Sequence, residues 1–360
     1  MPALLTYFIG FAVAISVMMV ATKVVDIIIK APGYQGEPTE HFDGKQFHNI
    51  SKTKARSLLD VFKWALTENP EEWQELSRDD VTIGKAPNPS TNDGEINITF
   101  VNHATFLIQV GECNILIDPV WSKRASPFQW IGPKRMRPPG IDFEDLPDID
   151  LVLISHNHYD HLDIHTVKQL SSTHDPLFVV PLGVSRYLES HGVHRTAELG
   201  WWKDKQIAAN LQVTSVPAQH FSGRGLSDRD ETLWCGYVLE TTAGTLYFAG
   251  DTGYDGIFTK IGRRFDIDLS FIPIGAYKPR WFMNPIHVDP EQAVQIHKDV
   301  NSSQSIGMHF GTFPLGDEGM HDPPADLKKA REKHIIPESE FYTLEEGETK
   351  TLLSSTVMQA

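Results

Sequence analysis

Leu151-Val152-Leu153-Ile154 is an apolar run that stops at Ser155-His156-Asn157-His158-Tyr159-Asp160-His161-Leu162. His156, His158, Asp160 and His161 are all good metal ligands, and imidazole and carboxylate groups are costly to bury unless paired or coordinated. A chain with this segment has to end a buried strand at a polar cluster and supply the cluster with partners. In a tight post-strand loop, His156 and His158 can point to one side. Asp160 and His161, on the following turn, can point to a neighbouring site. One loop does not complete a zinc site, so other segments must contribute.

Three further apolar runs end in the same way. Leu211–Val216 leads into Pro217-Ala218-Gln219-His220, Thr245–Gly250 into Asp251-Thr252-Gly253, and Ser305–Met308 into His309-Phe310-Gly311. Taken alone, each is ambiguous, and a strand-end histidine is more often a satisfied surface or core residue. Together they put His156, His158, His161, His220 and His309, with Asp160 and Asp251, at the carboxyl ends of four apolar runs. Open α/β sheets place their sites there.

The remaining runs are short and β-rich: Ile96–Val101, Thr105–Val110, Asn114–Ile117, Phe178–Val180, Trp234–Glu240 and Leu269–Ile272. Helical stretches such as Thr166–Ser171 and Glu291–Lys298 lie between them. The second opens with Asp289-Pro290-Glu291-Gln292, an N-cap carboxylate followed by proline at the first helical position. This mixture predicts a layered α/β body beginning near Glu95, after the turn-rich Asn88–Gly94. Upstream, Ala3–Thr22 is uncharged and apolar, with Val24–Ile29 extending it past Lys23. About 20 such residues match a bilayer core, so this stretch is expected to be a membrane-spanning anchor rather than a cleaved signal or a core helix. Lys23, Lys30, Lys45, Lys52, Lys54 and Arg56 follow it, which favours the cytoplasmic side for the large domain. Residues 31–51 read as a linker. Ala55, Leu58, Leu59, Phe62, Ala65 and Leu66 form a helical stripe that packs on the main domain or lies on a membrane surface. The expected boundaries are 1–29 anchor, 30–94 linker and amphipathic helix, 95–346 hydrolase domain and 347–360 C-terminal tail.

Two cysteines, Cys113 and Cys235, exclude a disulfide scaffold or thiolate zinc cage, and the net charge of −15 argues against a general nucleic-acid surface.

The ligand order of these four strand ends resembles the metallo-β-lactamase superfamily of dinuclear zinc hydrolases. The resemblance implies an αββα sandwich and two Zn2+ per chain. It assigns His156, His158 and His220 to one ion, Asp160, His161 and His309 to the other, and Asp251 as the bridge. Within the superfamily, other segments are similar to the N-acyl-phosphatidylethanolamine-hydrolysing phospholipase D family. They include Ser126-Pro127, Gly132-Pro133-Lys134-Arg135, Pro181-Leu182-Gly183 and Ala249–Tyr254. The most specific are Ile272–Tyr277, Pro279–Met283 and His287-Val288-Asp289-Pro290-Glu291. The resemblance runs from about Ile96 to Glu346. It implies hydrolysis of N-acyl-phosphatidylethanolamine to phosphatidic acid and an N-acylethanolamine, by attack of metal-bound hydroxide on phosphorus without a covalent enzyme intermediate.

Asp160, Asp251 and His287 are the expected catalytic residues. His287, not needed as a ligand, is free to contact the phosphate or protonate the leaving alkoxide, or else makes a structural hydrogen bond. Asp118 is open between a buried structural carboxylate and one that orients a ligand histidine. Lys278 and Arg280 either neutralise a phosphate or are solvated. Trp281, Phe282 and Met283 either line an acyl-chain groove or pack the loop. Trp201-Trp202 reads more often as core or lid packing than as a lipid contact, and His41, His48, His165, His174, His191, His194, His297 and His334 as surface or packing residues. The expected partners are a phospholipid substrate and a membrane, with no nucleic acid and a homodimer left open. Two other readings compete: a hydrolase of another phosphodiester, ester or lactone, and a non-catalytic metal-binding membrane protein.

Overall fold

The computed structural model describes residues 2–52, 56–81, 84 and 87–353, with the backbone alone for 2–15 and 58. Two helices come first, α1 (Pro2–Ile29) and α2 (Leu58–Thr67). Strands β1 (Glu95–Asn102), β2 (Thr105–Val110), β3 (Cys113–Ile117), β4 (Leu151–Leu153), β5 (Leu177–Pro181) and β6 (Thr196–Leu199) follow. They form one sheet, with α3 (Ile164–Thr173) and α4 (Val184–Ser190) inserted between its later strands. The second sheet contains β7 (Asp204–Ala208), β8 (Leu211–Val216), β9 (Gly236–Thr241), β10 (Thr245–Phe248), β11 (Leu269–Pro273), β12 (Gln304–Met308) and β13 (Phe341–Tyr342). The final strand, β14 (Thr349–Leu353), returns to the first sheet and pairs antiparallel with β1. The strand orders are β14-β1-β2-β3-β4-β5-β6 and β13-β12-β11-β10-β9-β8-β7. Each sheet is antiparallel on one side and parallel on the other.

Alternation along the strands assigns side chains to layers, because successive residues point to opposite faces. Phe106 and Ile108 of β2, Ile115 and Ile117 of β3, and Leu151 and Leu153 of β4 face the second sheet. Leu107, Leu116 and Val152 face away, onto Val167 and Leu170 of α3 and Val184 and Leu188 of α4. Phe106 meets Phe271 of β11 across the sheet interface with ring centroids 4.5 Å apart. On the far side of the second sheet lie α5 (Ile257–Arg264), α7 (Pro290–Asp299) and α8 (Asp322–His334), while the short α6 (Arg280–Met283) lies in the loop after β11, against α2. Ile257, Phe258, Val294 and Leu327 join the core there. The result is the two-sheet, helix-flanked architecture of the metallo-β-lactamase type. The sequence-predicted cap of α7 is present: Asp289 accepts from the Gln292 amide and Pro290 opens the helix.

The N-terminal expectation needs correction. Among the described residues no helix is long and apolar enough to cross a membrane, so the single-pass anchor, and the orientation argued from it, are withdrawn. Of the apolar run, the side chains of residues 3–15 lie outside the described residues. The described end of α1 carries Lys23 and Asp26 and is tied to the domain. The Asp26 carboxylate accepts the Ser227 amide at 3.2 Å and hydroxyl at 2.6 Å, and the Ala31 amide donates to Asp228 at 2.7 Å. Residues 31–52 then cross the domain, where Phe42 and Phe47 are buried. Lys54, Ala55 and, of the expected tail 347–360, residues 354–360 lie outside the described residues, whereas Thr349–Leu353 of that tail form β14. On α2, Trp64 makes the domain contact, stacking on Phe282 with centroids 4.9 Å apart and donating to Asp317 at 3.0 Å. Leu59, Phe62 and Leu66 instead face outward, 79%, 63% and 70% exposed.

Candidate metal centre

Four loops meet at the carboxyl ends of β4, β8, β10 and β12. The first carries His156, His158, Asp160 and His161; the others carry His220, Asp251 and His309. His158 Nδ1 lies 2.8 Å from His156 Nε2 and 3.3 Å from His220 Nε2. A second group forms where Asp160 Oδ2 lies 3.3 Å from His161 Nε2 and 3.2 Å from His309 Nε2. Asp251 Oδ2 stands between the groups. It is 3.2 Å from His161 Nε2, 3.1 Å from His309 Nε2, 3.7 Å from His220 Nε2 and 4.0 Å from His156 Nε2. All seven side chains expected as ligands therefore converge.

Several of these atoms are buried without a hydrogen-bond partner, among them His161 Nε2 and Asp251 Oδ1. Uncompensated lone pairs at the centre of a buried His/Asp cluster fit a divalent cation better than they fit a core. The mixed imidazole–carboxylate set suits zinc and also other first-row metals. His156, His158 and His220 form a three-ligand cluster, and Asp160, His161 and His309 lie in another, joined by His103.

The surroundings set each ligand's direction and charge. Asp118 Oδ2 accepts from His161 Nδ1 at 2.7 Å and from the Ser155 hydroxyl at 2.6 Å, while Oδ1 accepts the Ser155 amide at 2.7 Å. Ser155 Oγ in turn lies 2.9 Å from His156 Nδ1. One carboxylate thus fixes the tautomer of a ligand in each group, leaving both Nε2 lone pairs facing inward. Asp118 is therefore placed to orient His161 directly and His156 through Ser155. His220 Nδ1 is 3.0 Å from the Ile286 carbonyl, which does the same for His220.

Burial depresses the basicity of His156 and His220 well below the usual imidazole range, and that of His158 to about 4. These imidazoles are neutral at pH 7, as ligands must be. Without a cation, burial pushes the carboxyl groups of Asp160 and Asp251 up, but a protonated His161, itself held against burial well above the usual imidazole range by these carboxylates, outweighs it and both stay ionised. A bound cation would take the place of that proton.

His287 lies at the rim, with Nδ1 3.9 Å from Asp251 Oδ2, and burial lowers it to about 4. Lys278 and Arg280 are engaged elsewhere. Lys278 pairs with Asp322 at 2.6 Å; Arg280 pairs with Asp289 at 3.1 Å and donates to the His287 carbonyl at 2.9 Å. Arg280 thus holds the loop bearing His287. Trp201 is buried and donates to the Trp234 carbonyl at 2.6 Å, a packing role. Phe282 lines a cavity of about 680 Å3 that reaches His220. Its wall combines Phe221, Trp234 and Ile286 with the cations Lys52, Arg56 and Arg229.

Two residues that touch the centre or its ligand loop are not evident from strand-end patterns. His103, in the turn between β1 and β2, places Nε2 3.1 Å from Asp160 Oδ2. Its backbone is left-handed at φ +47°, as is that of His309 at φ +63°, and the His309 amide donates to the His103 carbonyl at 2.7 Å. The two-residue turn His103-Ala104 between apolar runs carries no local signal of a site, since such turns are ordinarily solvated. Arg224 is sandwiched between the rings of Tyr159 and Tyr187, 4.0 and 4.6 Å from their centroids. It donates to the carbonyls of Asn157 at 2.8 Å and Leu162 at 2.9 Å, clamping both ends of the ligand loop.

The beta-lactamase superfamily domain matches residues 113–310, more than half of the chain. The chain is 40% identical over 265 residues to an N-acyl-phosphatidylethanolamine-hydrolyzing phospholipase D of Caenorhabditis elegans, covering 69% of this chain and 74% of that one. It belongs to the N-acyl-phosphatidylethanolamine-hydrolysing phospholipase D family of the metallo-β-lactamase superfamily. A mitochondrial member from Saccharomyces cerevisiae is 36% identical over 225 residues, covering 61% of this chain and 48% of that one. Among solved structures, the metallo hydrolase Igni18 of Ignicoccus hospitalis has the same fold, with a TM-score of 0.55 at 22% identity. It covers 71% of this chain and 98% of its own. An isothiocyanate hydrolase from Delia radicum gut bacteria aligns with a TM-score of 0.57 at 20% identity over the same shares. The family is thus that of metal-dependent hydrolases.

Proposed function

We propose that this protein is a dinuclear zinc phosphodiesterase that cleaves N-acyl-phosphatidylethanolamine into phosphatidic acid and an N-acylethanolamine. One observation carries the reading: two His/Asp clusters stand side by side with Asp251 between them, and His220 of one of them lines a cavity walled by aromatic side chains and cations. An anionic phosphodiester with acyl chains matches both halves of that wall, and the kinship to the nematode phospholipase D supports the same substrate class. The outward Leu59, Phe62 and Leu66 of α2 lie on the segment that supplies Val61 and Arg56 to the cavity, as suits a substrate held in a lipid surface. We also include that surface contact, which needs no spanning helix, in the proposal.

His156, His158 and His220 would hold one ion, and Asp160, His161 and His309 the other, with Asp251 shared. Bound there, the ions would lower the pKa of water and neutralise charge developing on the phosphoryl oxygens. Asp118, Ser155 and Ile286 keep the ligand lone pairs inward. Lys52, Arg56 and Arg229 draw the phosphate toward the cavity wall against the chain's overall negative charge. His287, neutral at pH 7, offers an imidazole N–H to the phosphate or to the oxygen of the departing N-acylethanolamine. Oxygen from water adds to phosphorus, the phosphorus–oxygen bond to the ethanolamine breaks, and the proton that the water gives up passes to the departing oxygen, which leaves as an alcohol.

The test is turnover of a glycerophospholipid panel, with products identified by mass spectrometry, for wild type beside Asp251→Asn. Phosphatidic acid and N-acylethanolamine are expected, with the variant at least about a hundredfold slower. Turnover of a soluble ester or lactone in place of the phospholipid would replace this reading with the broader hydrolase. Absence of metal-dependent turnover on every substrate would leave a binding protein.

A further inference from the structure

Residues 31–49 lie before the matched superfamily domain, yet they reach the metal centre. Tyr34 donates its amide to the Glu231 carbonyl at 2.8 Å, and the Phe47 amide to the Asp230 carbonyl at 2.7 Å. The rings of Tyr34, Phe42 and Phe47 pack together with centroids 4.6 to 5.5 Å apart. The segment is thereby seated against the loop that carries His220.

At its end, Asn49 brackets the backbone of His220. Its Nδ2 donates to the His220 carbonyl at 2.8 Å and its Oδ1 accepts the His220 amide at 3.1 Å. The same Oδ1 accepts from Trp234 Nε1 at 3.1 Å. Both groups facing Oδ1 can only donate, the His220 amide and the Trp234 indole (the latter shared with the Ala218 carbonyl at 3.0 Å), so the Asn49 amino group is sent to the His220 carbonyl. The carboxamide thus acts as a one-residue strand partner, fixing both peptide groups of His220. The Ile286 carbonyl at 3.0 Å fixes the ring. No other common side chain supplies a donor and an acceptor in this geometry at this length.

We propose that Asn49 is a positioning residue of the metal centre, holding His220 in the direction from which its Nε2 can join His156 and His158 on a cation. The N-terminal segment is then part of the site rather than a lead-in to it. This rests on His220 being a ligand, as proposed above.

The experiment uses the purified full chain loaded with Zn2+ and then dialysed against graded concentrations of a competing chelator, with metal per chain measured by elemental analysis. Asn49→Ala is expected to release the ion held by His156, His158 and His220 at ten- to a hundredfold lower chelator concentration than wild type. Asn49→Asp, the same shape, should do no better than alanine, because it turns a carboxylate oxygen toward the His220 carbonyl. A packing role predicts the opposite order, with aspartate tolerated. Trp234→Phe removes the indole's bond to the carboxamide and leaves both bonds to His220, so it should give a smaller loss of retention in the same direction. Excess Zn2+ should restore the thermal shift on metal addition in each variant. Asp43→Asn, whose bonds stay within the segment, serves as the control and should retain metal as wild type does. Wild-type retention in folded Asn49 and Trp234 variants, beside loss in His220→Ala, would overturn the inference alone. Retention in His220→Ala as well would overturn the ligand assignment on which it rests.

Discussion

Asp118→Asn changes one atom and should disable both halves of the metal centre. In the native arrangement Asp118 Oδ2 receives two donors, the Ser155 hydroxyl at 2.6 Å and His161 Nδ1 at 2.7 Å, and Oδ1 receives the Ser155 amide at 2.7 Å. An asparagine cannot satisfy all three. With its oxygen on the Ser155 amide, its amino group faces His161 Nδ1 and forces the proton to Nε2, where the cation should bind. Turned over, it sets amino group against backbone amide, a buried mismatch costing about 1–3 kcal/mol. Either way the ligand is misoriented, and losses of this kind weaken metal binding about ten- to a hundredfold, or about 1.4–2.8 kcal/mol. The assay is chelator competition on the purified, folded variant, with circular dichroism to verify the fold. Ser155→Ala interrupts only the branch to His156 and should weaken one ion more than the other. A folded Asp118→Asn protein that holds both ions as tightly as wild type would refute the tautomer argument.

Three other outcomes are expected. Metal-free protein should be most stable near pH 6.5. Burial holds His103, His158 and His287 at about 3, 4 and 4, so the stability they contribute is present above 6.5 and lost as pH falls toward 4. For His309, burial is overcome by Asp251 and Asp160, which raise it to about 9, so its contribution is present below 6.5 and lost as pH rises toward 9. A melting temperature that rose or fell steadily across this window would contradict the assignment. His287→Ala should lower kcat about a hundredfold while leaving metal per chain unchanged; loss of metal would make His287 a ligand. Gly250→Ala should lower the melting temperature by about 4–8 °C, from about 2 kcal/mol of destabilisation. Gly250 has φ +64°, and an added Cβ would stand 2.6 Å from the Cys235 carbonyl; an unchanged melting temperature would show that the turn relaxes freely.

The sequence was most informative where a strand period broke at a polar residue. Leu151–Ile154 before His156, Leu211–Val216 before His220 and Ser305–Met308 before His309 each announce a buried strand whose last residue cannot be core. Such breaks give both the sheet and the ligands. His103 escaped because it has no partner nearby in the chain. Only the pairing of β1 with β2, and the bridge to Phe310, bring it to Asp160. The edge strands β6, β7 and β13 were silent for another reason: half-exposed runs such as Thr196–Leu199 and Asp204–Ala208 carry too few apolar residues to show a period. At the N-terminus, apolar composition over Ala3–Ile29 suggested a span. Asp26 there is a docking residue whose partners, Leu226 and Ser227, lie 200 and 201 positions away. Hydropathy reads a window and cannot register a partner at that separation.

Pairing of β14 with β1, from Glu95 opposite Leu353 to Thr99 opposite Thr349, closes the outer margin of the first sheet with the last described residues. A shortened chain ending before Thr349 would keep every ligand but bare a row of unpaired amides and carbonyls along β1. Such a margin recruits strands from other molecules. Self-association, and not loss of chemistry, is the failure to expect from trimming this protein at its C-terminus.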